Sequence, residues 1–248
     1  MFPLRDHNPS ERVPYVTYAL MAINIAIFVY THWVLGEGRA LQRVYFDYAL
    51  IPARLSGGEN PIALVSSMYL HGGFMHLAGN MLFLWIFGDN LEDTFGHIGF
   101  FVFYTICGVL AAVAQYWADP LTNVPMIGAS GAIAGVMGAY LLLFPKAKVD
   151  ILLILVIFFK IFPIPAWIML GLWFALQLVN GVTADLSEGG VAYWAHAGGF
   201  VMGFALAIPK WLALGGTGFW NRTEGHPPHP DARYVIEDSR IPKIRRQR

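Results

Sequence analysis

The feature that most constrains this 248-residue chain is a series of apolar stretches, each about as long as a membrane is thick. The hydrocarbon core of a bilayer measures about 30 Å, which a helix crosses in about 20 mostly apolar residues. The stretches that meet or approach this length are residues 15–35, 74–92, 98–117, 130–144, 163–180 and 191–212. The sequence therefore predicts an all-α polytopic membrane protein built on six transmembrane helices.

The composition excludes most other classes of protein. The chain is 56% hydrophobic and 13% charged, whereas globular proteins have about 45–50% apolar and about 25% charged residues. Sixteen Lys and Arg balance sixteen Asp and Glu, which leaves no basic face for nucleic acid. The one cysteine, Cys107, lies in an apolar stretch, so neither a disulfide framework nor a thiolate-rich metal site is expected.

The polar flanks define the expected domain organisation. Residues 1–14 form a polar, cytoplasmic N-terminal segment without the apolar core and cleavage site of a signal peptide. Residues 15–212 form the membrane domain. Residues 213–248 are rich in Gly, Pro, His and charge, and this composition predicts a disordered cytoplasmic tail. Whether its basic end binds anionic lipid or is only solvated stays open.

One apolar segment, residues 149–162, is only 14 residues long, which favours a short re-entrant or interfacial segment between the fourth and fifth helices. Counting it as a span would give seven crossings. The positive-inside rule favours six crossings with both termini cytoplasmic. That topology leaves 13 of the 16 basic residues inside and only Arg39, Arg43 and Arg54 outside.

Four polar residues stand within the predicted spans: His76 and Asn80 in the second, Ser130 at the start of the fourth, and His196 in the sixth. Polar groups are costly inside a membrane, so such residues are functional candidates. With six crossings, these three spans all run inward from the outer face. Each of the four residues then lies within about two helical turns of the outer end, at one common depth.

The types of residue at this depth favour acyl transfer. A serine hydroxyl beside an imidazole is the minimum for an activated nucleophile, and His76, Asn80 and the Ser130 N–H are placed to stabilise an oxyanion. Close helix packing that would join Ser130 to His196 is predicted by recurring glycines. They are Gly131, Gly135 and Gly138 in the fourth span and Gly199 and Gly203 in the sixth. Each feature alone is more often structural; their conjunction favours catalysis.

Three stretches resemble the rhomboid family of intramembrane serine proteases, in the family's order and spacing. They are HGGFMHLAGNMLFLWIFGDNLEDTFG (71–96), GASGAIAGVMGAY (128–140) and AHAGGFVMGFALA (195–207). The resemblance implies a dyad without a third acid, with Ser130 as nucleophile and His196 as general base. It assigns the oxyanion hole to His76, Asn80 and the Ser130 amide, and the wall that pairs with substrate backbone to Gly128. It implies no metal or organic cofactor.

The chain departs from the family pattern at two places. Rhomboids often carry an aromatic residue four positions after the serine, where this chain has Ala134, so His196 must be held by other contacts. The first external loop, residues 37–73, lacks the Trp-Arg pair of many members. Neither departure affects the dyad. Glu92 matches a polar residue that holds helix ends together, which indicates a structural role.

The resemblance also implies how substrates reach the site. Transmembrane protein substrates would enter from the bilayer beside the fifth span, where Trp167, Trp173 and Phe174 could form a gate. The cut would lie in a water-filled indentation beneath the loop 181–190, after a small residue. The compact layout favours a bacterial inner membrane.

Two other functions are compatible with part of this pattern. A non-catalytic rhomboid-like protein that binds or routes transmembrane clients would share the fold. A transporter or proton path through His76 and His196 is disfavoured, because Asp89 and Glu92 lie only at the inner end of the second span.

Overall fold

A computed structural model describes residues 2–155, 158–184 and 190–227, which form a bundle of long helices with a small sheet at one end. The N-terminal half contains β1 (Phe2–Asp6), α1 (Tyr15–Val29, continued by a π-helical turn at Tyr30–Val34), α2 (Arg39–Tyr48), α3 (Pro52–Ser56), α4 (Ala63–Ser66, continued by a 3-10 turn at Ser67–Tyr69) and α5 (Phe74–Phe95). The rest contains α6 (His97–Ala118), α7 (Ser130–Leu143), β2 (Lys148–Leu155), β3 (Phe158–Pro165), α8 (Ala166–Thr183), α9 (Tyr193–Ala213) and α10 (Thr217–Thr223).

Each of the six predicted spans contains one long helix: α1, α5, α6, α7, α8 or α9. Three continuous helices, Tyr15–Val34, His97–Ala118 and Ala166–Thr183, are long and apolar enough to cross a membrane. Two bent helix pairs, which include α5 and α9, would raise the number to five. The 14 residues of α7 span only about 20 Å. A mostly helical membrane protein is therefore confirmed, whereas six crossings stay a prediction.

The prediction of an all-α chain is wrong for the segment after α7. There β2 and β3 form an antiparallel pair in which Asp150 lies opposite Pro163 and Ile151 opposite Phe162. β-branched and aromatic residues dominate this segment, and such residues favour strands. An antiparallel pair also satisfies the backbone of a segment too short to cross as a helix. The re-entrant or interfacial placement of this hairpin stays a prediction.

The N-terminal segment is part of the same sheet. β1 pairs with the other edge of β2, which gives the strand order β1-β2-β3. Arg5 Nε lies 2.8 Å from Asp150 Oδ2 and His7 Nε2 lies 2.8 Å from Asp150 Oδ1. Burial alone would raise the pKa of Asp150, but these two partners hold it below its ordinary value. Residues of the predicted polar N-terminal segment therefore pair with the hairpin.

The predicted disordered tail begins with ordered structure. α10 buries Phe219 in the core, and the Trp220 indole N–H donates to the Leu142 carbonyl oxygen at 3.0 Å. The Lys146 N–H donates to the Gly225 carbonyl oxygen at 2.8 Å. Aromatic side chains therefore hold residues 217–223 against α7 despite the glycine-rich composition. Residues 228–248, with the basic end of the tail, lie outside the described residues.

These segments meet at the C-terminal end of α7. The Tyr140 hydroxyl donates to Asp6 Oδ2 at 2.5 Å, one turn before the end of the helix. Ser130 begins the same helix, about 20 Å from the C-terminal end of α7. The N-terminal strand and α10 thus lie at one end of the bundle, and Ser130 lies at the opposite end of α7.

Glu92 ties the first three long helices together at this end. Its buried carboxylate, 1% exposed, accepts hydrogen bonds from the Val16 and Thr17 backbone N–H groups and from the Thr17 hydroxyl. His97 Nδ1 lies 2.5 Å from Glu92 Oε1. The carboxylate therefore satisfies N–H groups that the first turn of α1 leaves without helical partners. The predicted structural role of Glu92 agrees with these contacts.

Docking of β1 is expected to weaken as the pH rises. Burial raises the pKa of Asp6 to about 8, although the Tyr140 hydrogen bond opposes this and the nearby Asp89 adds to it. An undocked Asp6 ionises near its ordinary pKa of 3.8, so the docked form loses relative stability as the pH rises from about 4 to about 8. Hydrogen exchange, corrected for intrinsic rates, should show falling protection of β1 over this range. Asp6→Asn should keep its protection, and an equal fall in both proteins would contradict this account.

Candidate active site

Helices α7 and α9 touch through their backbones. A Cβ atom added at Gly203 would overlap the backbone of Gly135, and one added at Gly199 would overlap the Gly131 carbonyl oxygen. Small residues permit this kind of approach between membrane helices. The small helix faces predicted from the glycine spacing therefore do meet.

This contact brings Ser130 and His196 together. Ser130 is the first residue of α7, and His196 lies in the first turn of α9. The Ser130 Oγ and His196 Nε2 atoms are 2.7 Å apart, an ordinary hydrogen-bond distance. The two residues are 66 positions apart in sequence, and the predicted hydrogen-bond reach between them is observed.

Gly128 lies against both His76 and Ser130. Its φ of +123° falls in a region that residues with a Cβ atom rarely adopt, and its N–H donates to the Ser67 carbonyl oxygen at 2.9 Å. A Cβ atom here would lie 2.7 Å from His76 Nε2 and 3.6 Å from Ser130 Oγ. Only glycine therefore fits this position, which lies close to the Ser130 hydroxyl. Its role as the wall that pairs with substrate backbone stays a prediction.

The four predicted side chains line one cavity of about 970 Å³. They are His76, Asn80, Ser130 and His196. Asn80 is only 7% exposed, and its Nδ2 has no hydrogen-bond partner among the described residues. A buried, unpaired donor costs free energy unless something else uses it. An unpaired amide N–H on a residue that lines the same cavity as Ser130 is suited to bind a developing negative oxygen.

Sequence reasoning missed Gln177 in α8, a polar residue in contact with His196. Its Oε1 lies 2.8 Å from His196 Nδ1, and the Trp173 ring centroid lies 5.7 Å from that of His196. These contacts hold the imidazole where Ala134 offers no aromatic ring. The rule that selected Asn80, a costly amide in an apolar span, would have found Gln177 as well.

The three aromatic residues proposed as a gate lie in different places. Trp173 lines the cavity, Phe174 stacks on Phe200 at a centroid distance of 4.7 Å, and Trp167 is 54% exposed. Their role as a gate stays a prediction. Of the predicted loop 181–190, residues 185–189 lie outside the described residues, and Ala184 and Gly190 on either side line the cavity.

Comparison with known proteins gives consistent matches. A family model of the Rhomboid domain matches residues 59–212. "Rhomboid protein 1, mitochondrial" from Saccharomyces cerevisiae is 33% identical over 198 residues, which cover 76% of this chain and 51% of that protein. "Rhomboid protease GluP" from Bacillus subtilis is 32% identical over 82% of this chain and 37% of its own length. "Rhomboid protease AarA" from Providencia stuartii is 28% identical over 78% and 71%, respectively.

Two consequences follow from these matches. The chain spans about half the length of the yeast relative and less of GluP. The match to the Rhomboid domain supports an integral membrane protein. The expected bacterial inner membrane is not supported, because the similar proteins include one named mitochondrial and others from bacteria.

Separating α7 from α9 should disrupt the site. Gly203→Ala places a Cβ atom into the Gly135 backbone, and overpacking of this kind costs about 1–3 kcal/mol. Gly171→Ala in α8 is the matched control, since no atom lies within 4 Å of its added Cβ. Thermal unfolding in detergent should show a lower midpoint for Gly203→Ala and an equal or higher one for Gly171→Ala. Equal midpoints for the two variants would contradict the backbone contact.

Proposed function

The chain belongs to the rhomboid family, and from that premise we propose that it is an intramembrane serine endopeptidase that cleaves transmembrane segments near the outer face of the membrane. The observation that carries the proposal is the 2.7 Å contact between Ser130 Oγ and His196 Nε2 inside a cavity. A serine whose hydroxyl faces an imidazole nitrogen has the base that it needs to become a nucleophile. No third acid takes part in the proposed reaction.

Acylation starts at Ser130. Its Oγ attacks the carbonyl carbon of the scissile peptide bond while its proton passes to His196 Nε2. The carbonyl oxygen becomes an oxyanion, which the Asn80 amide, the His76 imidazole and the Ser130 N–H at the N-terminus of α7 stabilise. The C–N bond then breaks, the leaving amine takes the proton from His196, and the acyl group remains on Ser130 as an ester.

Deacylation reverses these roles with water as the nucleophile. A cavity of about 970 Å³ is large enough for several waters, since each occupies about 30 Å³ in the liquid. His196 Nε2 takes a proton from the attacking water, the ester bond breaks, and the proton returns to Ser130 Oγ. The products are a carboxylic acid and a free enzyme in its starting protonation state.

The proposed substrates are membrane proteins that present a transmembrane helix to the site from the bilayer. In α8 only 22% of the residues are buried in the protein, compared with 39% of an 18-residue stretch of α6. Of these two helices α8 is the more weakly packed, and it is the proposed entry side. An intact helix hides its carbonyl groups in its own hydrogen bonds. Segments with Gly, Pro or small residues are therefore favoured, and the wall at Gly128 favours a small residue before the cut.

The proposed topology completes this account. Both termini are cytoplasmic, six helices cross the bilayer, and the dyad lies in the outer leaflet. The partners of the protein are its transmembrane substrates and the lipid bilayer, and no interaction with nucleic acid is proposed.

A fluorophosphonate probe should label the purified, detergent-solubilised protein at Ser130. Labelling should be absent in Ser130→Ala, and its rate should fall by about 10²- to 10⁴-fold in His196→Ala, because a general base contributes about that much. Ser66→Ala is the matched control, because the Ser66 hydroxyl donates to the Tyr48 carbonyl oxygen and does not line the cavity.

Two results would contradict the proposal. One is a folded wild-type protein that the probe does not label, which would favour a rhomboid relative that binds transmembrane clients without cleaving them. The other is a Ser130→Ala variant that labels as fast as the wild type, which would place the reactive serine elsewhere.

A further inference from the structure

We propose that Gln177 is a positioning residue for His196. It determines which ring nitrogen carries the proton and how the imidazole is oriented. The inference rests on the proposed function, because it assigns a role in the reaction of Ser130 and His196. Its starting point is the 2.8 Å contact between Gln177 Oε1 and His196 Nδ1, which links α8 to α9 next to the cavity that His196 lines. Gln177 is only 8% exposed, so water competes little for this contact.

A second contact fixes which end of the Gln177 amide faces the imidazole. Gln177 Nε2 donates to the Trp173 carbonyl oxygen, one turn earlier in α8, at 3.3 Å. A carbonyl oxygen can only accept a hydrogen bond, so the atom that faces it must be the amide nitrogen. The amide oxygen is then the atom that faces His196, and a flipped amide would place two acceptors against each other.

This orientation determines the tautomer of His196. An amide oxygen accepts but never donates, so Nδ1 must carry the ring proton and donate the hydrogen bond to Gln177 Oε1. In a neutral imidazole the other nitrogen, Nε2, then presents a lone pair. That lone pair faces Ser130 Oγ at 2.7 Å, which is the arrangement that a general base needs before it can accept a proton.

Gln177 also replaces the aromatic support that Ala134 cannot give. Among the described residues, Gln177 is the hydrogen-bond partner of Nδ1, while Trp173 packs near the imidazole from the same helix. The two residues are one turn apart in α8. Helix α8 therefore supplies both the aromatic ring that packs near the imidazole and the hydrogen-bond acceptor that keeps the imidazole from rotating.

An amide suits this position better than a carboxylate. A carboxylate buried in an apolar helix carries a large desolvation cost, and a neutral amide oxygen accepts the same hydrogen bond at lower cost. The orientation of the base is thus obtained without a buried charge, which agrees with a dyad that has no third acid.

Substitutions at position 177 separate this role from simple packing. Gln177→Met keeps the length of the side chain but loses the oxygen, whereas Gln177→Glu offers an acceptor in either protonation state. The fluorophosphonate labelling rate and kcat on a transmembrane substrate should fall about 10- to 100-fold in Gln177→Met, with little change in KM. This is the size of the loss when a hydrogen bond that orients a metal-binding histidine is removed. Gln177→Glu should retain most of the wild-type rate.

Leu176→Met is the matched control, because Leu176 is the neighbouring residue of α8 and is 49% exposed. Its labelling rate should equal that of the wild type, and thermal midpoints should show that all three variants are folded. Wild-type labelling of Gln177→Met would overturn the inference. So would a Gln177→Glu variant as slow as Gln177→Met, since the acceptor would then not matter.

A readout besides activity distinguishes failure of this inference from failure of the proposed function. In protein labelled with ¹⁵N-histidine, the His196 signal, assigned by its loss in His196→Ala, should report a proton on Nδ1, and Gln177→Met should shift it towards the other tautomer. A proton on Nε2, or a tautomer that Gln177→Met leaves unchanged, overturns the role of Gln177 whatever the reactivity. A wild-type protein that the probe does not label overturns the proposed function whatever the tautomer.

Discussion

The backbone contact between α7 and α9 is the constraint on which the rest of this structure depends. Lipid tails are as apolar as leucine side chains, so helices in a bilayer gain little from hydrophobic contact and associate through close packing and hydrogen bonds. Glycines on both helices allow that packing, with Gly135 and Gly203 in direct backbone contact. The same approach sets the distance between the first residue of α7 and the first turn of α9, where Ser130 and His196 meet.

The polar groups of the bundle divide between its two ends. At one end, Glu92 satisfies the first turn of α1, and the β1-β2-β3 sheet ties the N-terminal segment to the region after α7. At the other end, the buried Nδ2 of Asn80 has no hydrogen-bond partner in the described part of the chain, while Gln177 Oε1 and His196 Nδ1 satisfy each other. The first set holds helix ends together, and the second leaves hydrogen-bonding capacity available for a reacting group.

The sequence predicted features that depend on local spacing. Two such features are the recurring glycines after Ser130 and after His196 and the lengths of the apolar stretches. Both can be read from neighbouring residues without knowing which distant segments they contact. The pairing of β1 was missed because its partner strand lies more than 140 residues away, and nothing in residues 2–6 indicates that partner. α10 was predicted as disordered for the same reason, since Phe219 and Trp220 are buried only by contacts with other elements. The β2–β3 hairpin is local, and its β-branched and aromatic residues were a signal for strands that the apolar length concealed. Gln177 was overlooked although the rule for polar residues in spans applied to it.

Reconstitution of the purified protein in liposomes with a single-span membrane protein shows whether Ser130 cleaves a substrate inside the bilayer. The substrate should carry small residues near the outer end of its span, and mass spectrometry of the fragments identifies the cleaved bond. We expect one cut inside the apolar segment, after a small residue, and we expect no cut with Ser130→Ala. An intact substrate in the presence of folded wild-type protein, or the same cut with Ser130→Ala, would contradict the proposed function.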